Sequence, residues 1–112
     1  MAVQIAEELE KTKHFVREFD VCKVYGGVSI DYQIRSLRHN PEFIVGTTGR
    51  VMDLFNRKEI DFSNVEALVL DEADRMLDMG FLPDIENILK ELEKASSNFQ
   101  MALFSATIPS WV

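Results

Sequence analysis

Two hydrophobic periods alternate along the chain. Ala2, Ile5, Ala6, Leu9, Val16 and Phe19 fall near a helical repeat with Glu and Lys between them, which predicts an amphipathic helix. Val21–Tyr25 is short, valine-bearing and stopped by Gly26-Gly27, the pattern of a strand. Ser29 is placed to cap a second helix with Ile30, Ile34 and Leu37 on its inner face, and Pro41 marks its exit. The cycle then repeats. Phe43–Thr47 reads as a strand, Val51–Phe55 as a helix entered through Thr47-Thr48-Gly49, and Ala67–Leu70 as a strand running straight into Asp71. A helix follows with Ile85, Ile88, Leu89 and Leu92 inward, and Met101–Phe104 is the last strand. This βαβαβαβ order has strands of continuous apolar residues. Such strands belong to an α/β fold in which a parallel sheet is covered by helices on both faces. Sheets of that kind carry their chemistry at the carboxyl ends of the strands. The residues found there are Gly26-Gly27, Thr47–Arg50, Asp71–Asp74 and Ser105–Thr107.

Length and composition narrow the class. The 112 residues, 46% hydrophobic and 28% charged, suit one globular domain and not a disordered tail. No apolar run approaches the roughly 20 residues of a membrane span. Met1–Glu10 carries three glutamates where a secretory leader needs basic residues. Cys22 is the single cysteine, which excludes an intrachain disulfide and a cysteine-built zinc site and points to a reducing, intracellular setting, cytoplasmic or nuclear. Residues 1–57 are charge-balanced, so the formal net charge of −7 falls entirely within residues 58–112. A general nucleic-acid binder would be basic, so any grip on a phosphate backbone here must be local.

Each polar group at the strand ends has a plain reading and a chemical one. Asp71-Glu72 alone reads most simply as acids at a helix N-terminus. An apolar strand ending in Asp-Glu also suits a Mg-nucleotide site, with the Asp on the metal and the Glu orienting the attacking water. A calcium loop is a poor alternative, because apolar residues stand where oxygen ligands should be. Gly26-Gly27 is either a tight turn or a place where backbone amides approach a phosphate. Thr47–Arg50 either caps a helix or offers N–H groups, a hydroxyl and a guanidinium to phosphates. Ser105 and Thr107 flank a small alanine, so both hydroxyls can face one way, unless this is only a strand terminus before Pro109. Met76, Leu77, Met79 and Phe81 read as core packing. His14 and His39 have no metal-ligand spacing and read as surface residues.

Taken in order, these groups resemble a known family. Val69-Leu70-Asp71-Glu72-Ala73-Asp74, continued through Arg75-Met76-Leu77-Asp78-Met79-Gly80-Phe81, is similar to the nucleotide-hydrolysis motif of DEAD-box RNA helicases. Ser105-Ala106-Thr107, beginning 34 residues after Asp71, resembles the family's next motif. Upstream, Tyr25-Gly26-Gly27 resembles its double-glycine element, and Thr47-Thr48-Gly49-Arg50 its Thr-Pro-Gly-Arg motif, with Thr48 in place of proline. Met1–Ile5 matches the tail of a further element, with Met1 where leucine is usual.

The resemblance implies a three-layer RecA-like parallel sheet, and ATP and Mg as cofactors. It implies Asp71 on the metal, Glu72 activating water, and Asp74 bonded to Ser105 and Thr107 to couple hydrolysis to RNA. Gly26, Gly27, Thr47, Gly49 and Arg50 would grip single-stranded RNA through its phosphates, and a second RecA-like domain would complete both sites. No GxxxxGK[ST] phosphate loop occurs, since Gly-Lys is found nowhere in the chain. The expectation is therefore an incomplete, internal part of a first RecA-like domain over residues 1–112, inactive alone. In that sheet the phosphate-loop strand lies beside the Ser-Ala-Thr strand, so Met101–Phe104 is expected to present a bare edge. The competing reading is a naturally short, non-catalytic module that binds RNA or a protein.

Overall fold

Strand and helix alternate as the hydrophobic periods require. The computed structural model describes residues 2–12, 19–96 and 98–107. Val16, His14 and Pro109, named above, lie outside the described residues. The chain forms two compact units, Met1–Ile60 and Asp61–Val112. Among the described residues no helix is long and apolar enough to cross a membrane.

In the first unit, β1 (Val21–Val24) and β2 (Phe43–Gly46) pair in parallel, with Val21 opposite Phe43 and Val24 opposite Gly46. Parallel neighbours need a crossover, and α2 (Ile30–Leu37) supplies it. Helix α2 packs on β1, and α1 (Ala2–Thr12) packs on both strands through the fully buried Ala6. Phe19, expected on the first helix, instead lies beyond α1, and its ring sits 4.9 Å from that of Phe43. Helix α3 (Thr48–Asn56) follows β2 and buries Leu54 completely. Cys22 and Val24 point inward from β1, and burial pushes the Cys22 thiol up to about 11.

The second unit opens with a 3-10 turn at Phe62–Asn64, capped by the Asp61 carboxylate, which accepts from the Ser63 N–H at 2.9 Å. Strands β3 (Ala67–Asp71) and β4 (Gln100–Phe104) then pair in parallel, Ala67 opposite Gln100 and Asp71 opposite Phe104. Between them run a short helix α4 (Ala73–Asp78), which the hydrophobic period did not predict, and α5 (Leu82–Ala95). Ile85, Ile88 and Leu92 are the buried stripe of α5, as their spacing requires, while Leu89 is only half-buried. Pro83 sits in the first turn of α5, where its missing N–H has no helical partner to lose.

Three details differ from the expectation, while the α/β class of parallel strands and helices holds. The four strands join as two separate ladders among the described residues. Each ladder is closed by its own crossover. Coverage of the apolar runs is uneven: no residue of β1 is exposed, whereas β2 and β3 each mix buried and exposed positions. Along β3 Leu70 is buried and Val69 is 59% exposed, because successive side chains of a strand point to opposite faces. Met79, expected in the core, is 67% exposed, since the tight end of α4 turns it outward.

Candidate functional site

The carboxylates lie where β3 passes into α4. Asp71 is the last strand residue, and its Oδ1 accepts from the Glu72 N–H at 2.9 Å. Glu72 then adopts the left-handed conformation (φ 53°, ψ 48°) just before α4. The Glu72 Oε2 is held 3.2 Å from Arg75 Nη1, an ion pair that sequence inspection missed. Two residues on, Asp74 meets the end of β4. Its N–H donates to the Ser105 Oγ at 3.1 Å, and Thr107 Oγ1 donates to its Oδ2 at 3.4 Å. The Ser105 hydroxyl donates onward to the Thr107 carbonyl. Partial desolvation pushes the Asp74 carboxyl up. The Arg75 N–H, the Ser105 and Thr107 hydroxyls and its own N–H outweigh that, and hold it below the usual 3.8.

Asp71, Glu72, Asp74, Arg75 and Ser105 line an open cleft of about 270 Å3. Among the described residues no three His, Cys, Asp or Glu side chains converge to hold a metal ion unaided. The donor set nonetheless fits Mg2+. Asp71 offers a hard carboxylate with one oxygen tied to the backbone, and Mg2+ commonly takes one or two carboxylates and fills its remaining positions with water and phosphate oxygens.

In the first unit the parallel register brings the ends of β1 and β2 together, so that the Thr47 N–H donates to the Val24 carbonyl at 3.3 Å. Gly26 and Gly27 follow β1, Gly27 with φ 86°. Thr47, Gly49 and Arg50 follow β2 at the start of α3. Neither Ser29 nor Thr47 makes the side-chain cap expected of it, and Thr48 is the first helical residue, not a cap. A Cβ on Gly26 or Gly49 would meet nothing within 4 Å, so internal packing does not require glycine at either position.

Sequence reasoning missed two residues that shape this end of the unit. At Gly46 an added Cβ would come within 2.3 Å of Val24 Cγ2 and 2.5 Å of the Val24 carbonyl oxygen, so only glycine lets β2 pass β1 there. Gln33 is fully buried on the inner face of α2. Its Nε2 donates to the Tyr25 carbonyl at 2.9 Å, and its Oε1 accepts from Arg50 Nη1 at 2.8 Å. The available signal was a polar side chain where the helical period calls for an apolar one.

The DEAD/DEAH box helicase family model matches residues 1–112. The ATP-dependent RNA helicase CshA of Listeria monocytogenes is 50% identical over 109 residues, 97% of this chain and 20% of that protein. The chain thus spans about a fifth of that curated relative's length. Among solved structures, a hypothetical ATP-dependent RNA helicase from Sulfolobus tokodaii superposes with a TM-score of 0.86 at 37% identity, covering 97% of this chain and 31% of that one. The yeast DEAD-box splicing factor Prp28 does so with a TM-score of 0.89 at 32% identity, covering 98% and 26%. The α/β fold class expected from the sequence, a partial RecA-like arrangement of parallel strands and helices, agrees with these neighbours.

Proposed function

Because the chain belongs to the DEAD/DEAH box helicase family, we propose that residues 1–112 act as part of the first RecA-like domain of an ATP-dependent RNA helicase. In this reading Asp71 holds the metal and Glu72 takes up the proton of the attacking water. ATP with its Mg2+ supplies the phosphoryl group to be cleaved. Release of Glu72 from Arg75 frees its carboxylate for that duty. Asp74, Ser105 and Thr107 tie the strand end that carries the carboxylates to the following motif, so a shift in one is felt by the other. Gly26, Gly27, Thr47, Gly49 and Arg50 hold phosphates of single-stranded RNA without reading bases. The open space above Gly26 and Gly49 supports close backbone approach by such a ligand. A second RecA-like domain supplies the remaining contacts, and the setting is intracellular, cytoplasmic or nuclear.

The observation that carries this reading is the Asp74–Ser105–Thr107 network, which joins two motifs 31 or more residues apart, with Asp74 and Ser105 both lining the cleft. Since Gly-Lys occurs nowhere in the chain, the 112-residue polypeptide alone is expected to show no RNA-stimulated ATP hydrolysis. In the longer helicase, Glu72→Gln should abolish turnover and spare ATP binding, because only proton removal is lost. Loss of both would mean that Glu72 has another role. A native protein of only 12.9 kDa would instead favour the non-catalytic module.

A further inference from the structure

A fully buried amide at a helix position that the apolar period assigns to the core needs a reason. Gln33 has two donors and two acceptor sites, and leaving them unmet in the interior would be strongly unfavourable. Its orientation is dictated by its neighbours. A guanidinium only donates, so the Gln33 carbonyl must face Arg50, and the NH2 group must face the Tyr25 carbonyl. Arg50 Nη1 also reaches the Val28 carbonyl at 3.5 Å. The bonds close a circuit: Tyr25 carbonyl, Gln33 amide, Arg50 guanidinium, Val28 carbonyl. Tyr25 and Val28 are the residues on either side of Gly26-Gly27.

We infer that Gln33 is a positioning residue for RNA binding, bracing the double-glycine turn and the Arg50 guanidinium into one preformed phosphate grip. This rests on the RNA reading given above. The brace pins both ends of a turn that its two glycines would otherwise leave loose. It engages Arg50 through Nη1 alone among the described residues, so Nε and Nη2 remain to donate to a phosphate. Ordering the grip before RNA arrives removes an entropic cost from binding.

The test uses the longer helicase, with amide hydrogen exchange over residues 25–28 and the affinity for a labelled oligouridine as separate readouts. Gln33→Leu keeps the volume and removes both bonds. It should speed exchange in the turn about tenfold and weaken oligouridine by a similar factor, the equivalent of roughly one net hydrogen bond. In an Arg50→Ala background the same change should weaken RNA binding by less than about twofold, since Gln33 acts through Arg50. Unchanged exchange in Gln33→Leu would overturn the brace, and so would an additive loss of affinity in the double variant. Should Arg50→Ala leave affinity untouched while exchange still rises in Gln33→Leu, the brace stands and the RNA reading falls. Should Gln33→Leu fail to fold, Arg50→Lys carries the test: its compact ammonium cannot span Gln33 and Val28, so exchange in the turn must rise, and an unchanged rate refutes the circuit.

Discussion

Asp74 shows how a solvent-accessible carboxylate can be held charged by local donors. Desolvation raises its pKa, and the Arg75 N–H with the Ser105 and Thr107 hydroxyls lowers it further than that, to a net value below 3.8. The folded value is thus below the unfolded one. The network contributes in full at pH values above 3.8 and is lost only as pH falls through the lower folded value. The carboxyl carbon of Asp74, followed by NMR, should titrate below 3.8, and Ser105→Ala with Thr107→Val should move the midpoint up toward it. A midpoint indifferent to the two hydroxyls would remove them as partners of the charge. Gln33 is the complementary case: a neutral side chain, wholly buried, with its amide bonded at both ends.

Two helix ends make the same turn with different residues. At the end of α4 the Gly80 N–H bonds the Leu77 carbonyl and the Phe81 N–H the Met76 carbonyl, with Gly80 at φ 79°. At the end of α3 the Lys58 N–H bonds the Phe55 carbonyl and the Glu59 N–H the Leu54 carbonyl, with Lys58 at φ 64°. Both are Schellman closures, and only the first has the residue that tolerates the left-handed region without strain. Lys58→Gly should therefore stabilise the chain by about 0.5–1 kcal/mol, read as a higher urea midpoint with an unchanged slope. No gain would mean that Lys58 has a contact outweighing its backbone strain. α5 needs no such device to stay in place, because Ile85, Ile88 and Leu92 seat it along one stripe.

Across the whole molecule, charge follows the division into units. Asp61–Val112 carries the entire net charge of −7, and Met1–Ile60 is balanced. The candidate phosphate contacts belong to the balanced unit, where repulsion of a polyanion is least. The acidic unit also has an unprotected edge. Among the described residues β4 pairs with β3 alone, and its segment Gln100–Phe104 contains neither charge nor proline. Met101 is 44% and Phe104 58% exposed. Such an edge is a template for another strand. Light scattering of the isolated chain should show association that grows with concentration and that Met101→Lys reduces. A monodisperse monomer at all concentrations would refute the edge as an association site.

Local pattern by itself determined the order of strands and helices apart from the short α4, the buried stripe of α5, and the motifs that stand at the strand ends. Those features depend on neighbours within a few residues, and period and motif spacing record them directly. Asp71, Glu72, Asp74, Ser105 and Thr107 were legible for that reason, and the structure sets the first four around one cleft, with Thr107 bonded to Asp74. Tertiary structure alone decided which strands share a ladder, that Met79 faces outward, that Gly46 must lack a side chain, and that the Arg50 guanidinium bonds a buried glutamine. The partners of Gly46 and Arg50 lie 22 and 17 residues away in the chain. A one-dimensional period registers whether a side chain is polar. It does not register which distant carbonyl or guanidinium arrives to satisfy it, and that depends on how crossover helix and strand close on each other.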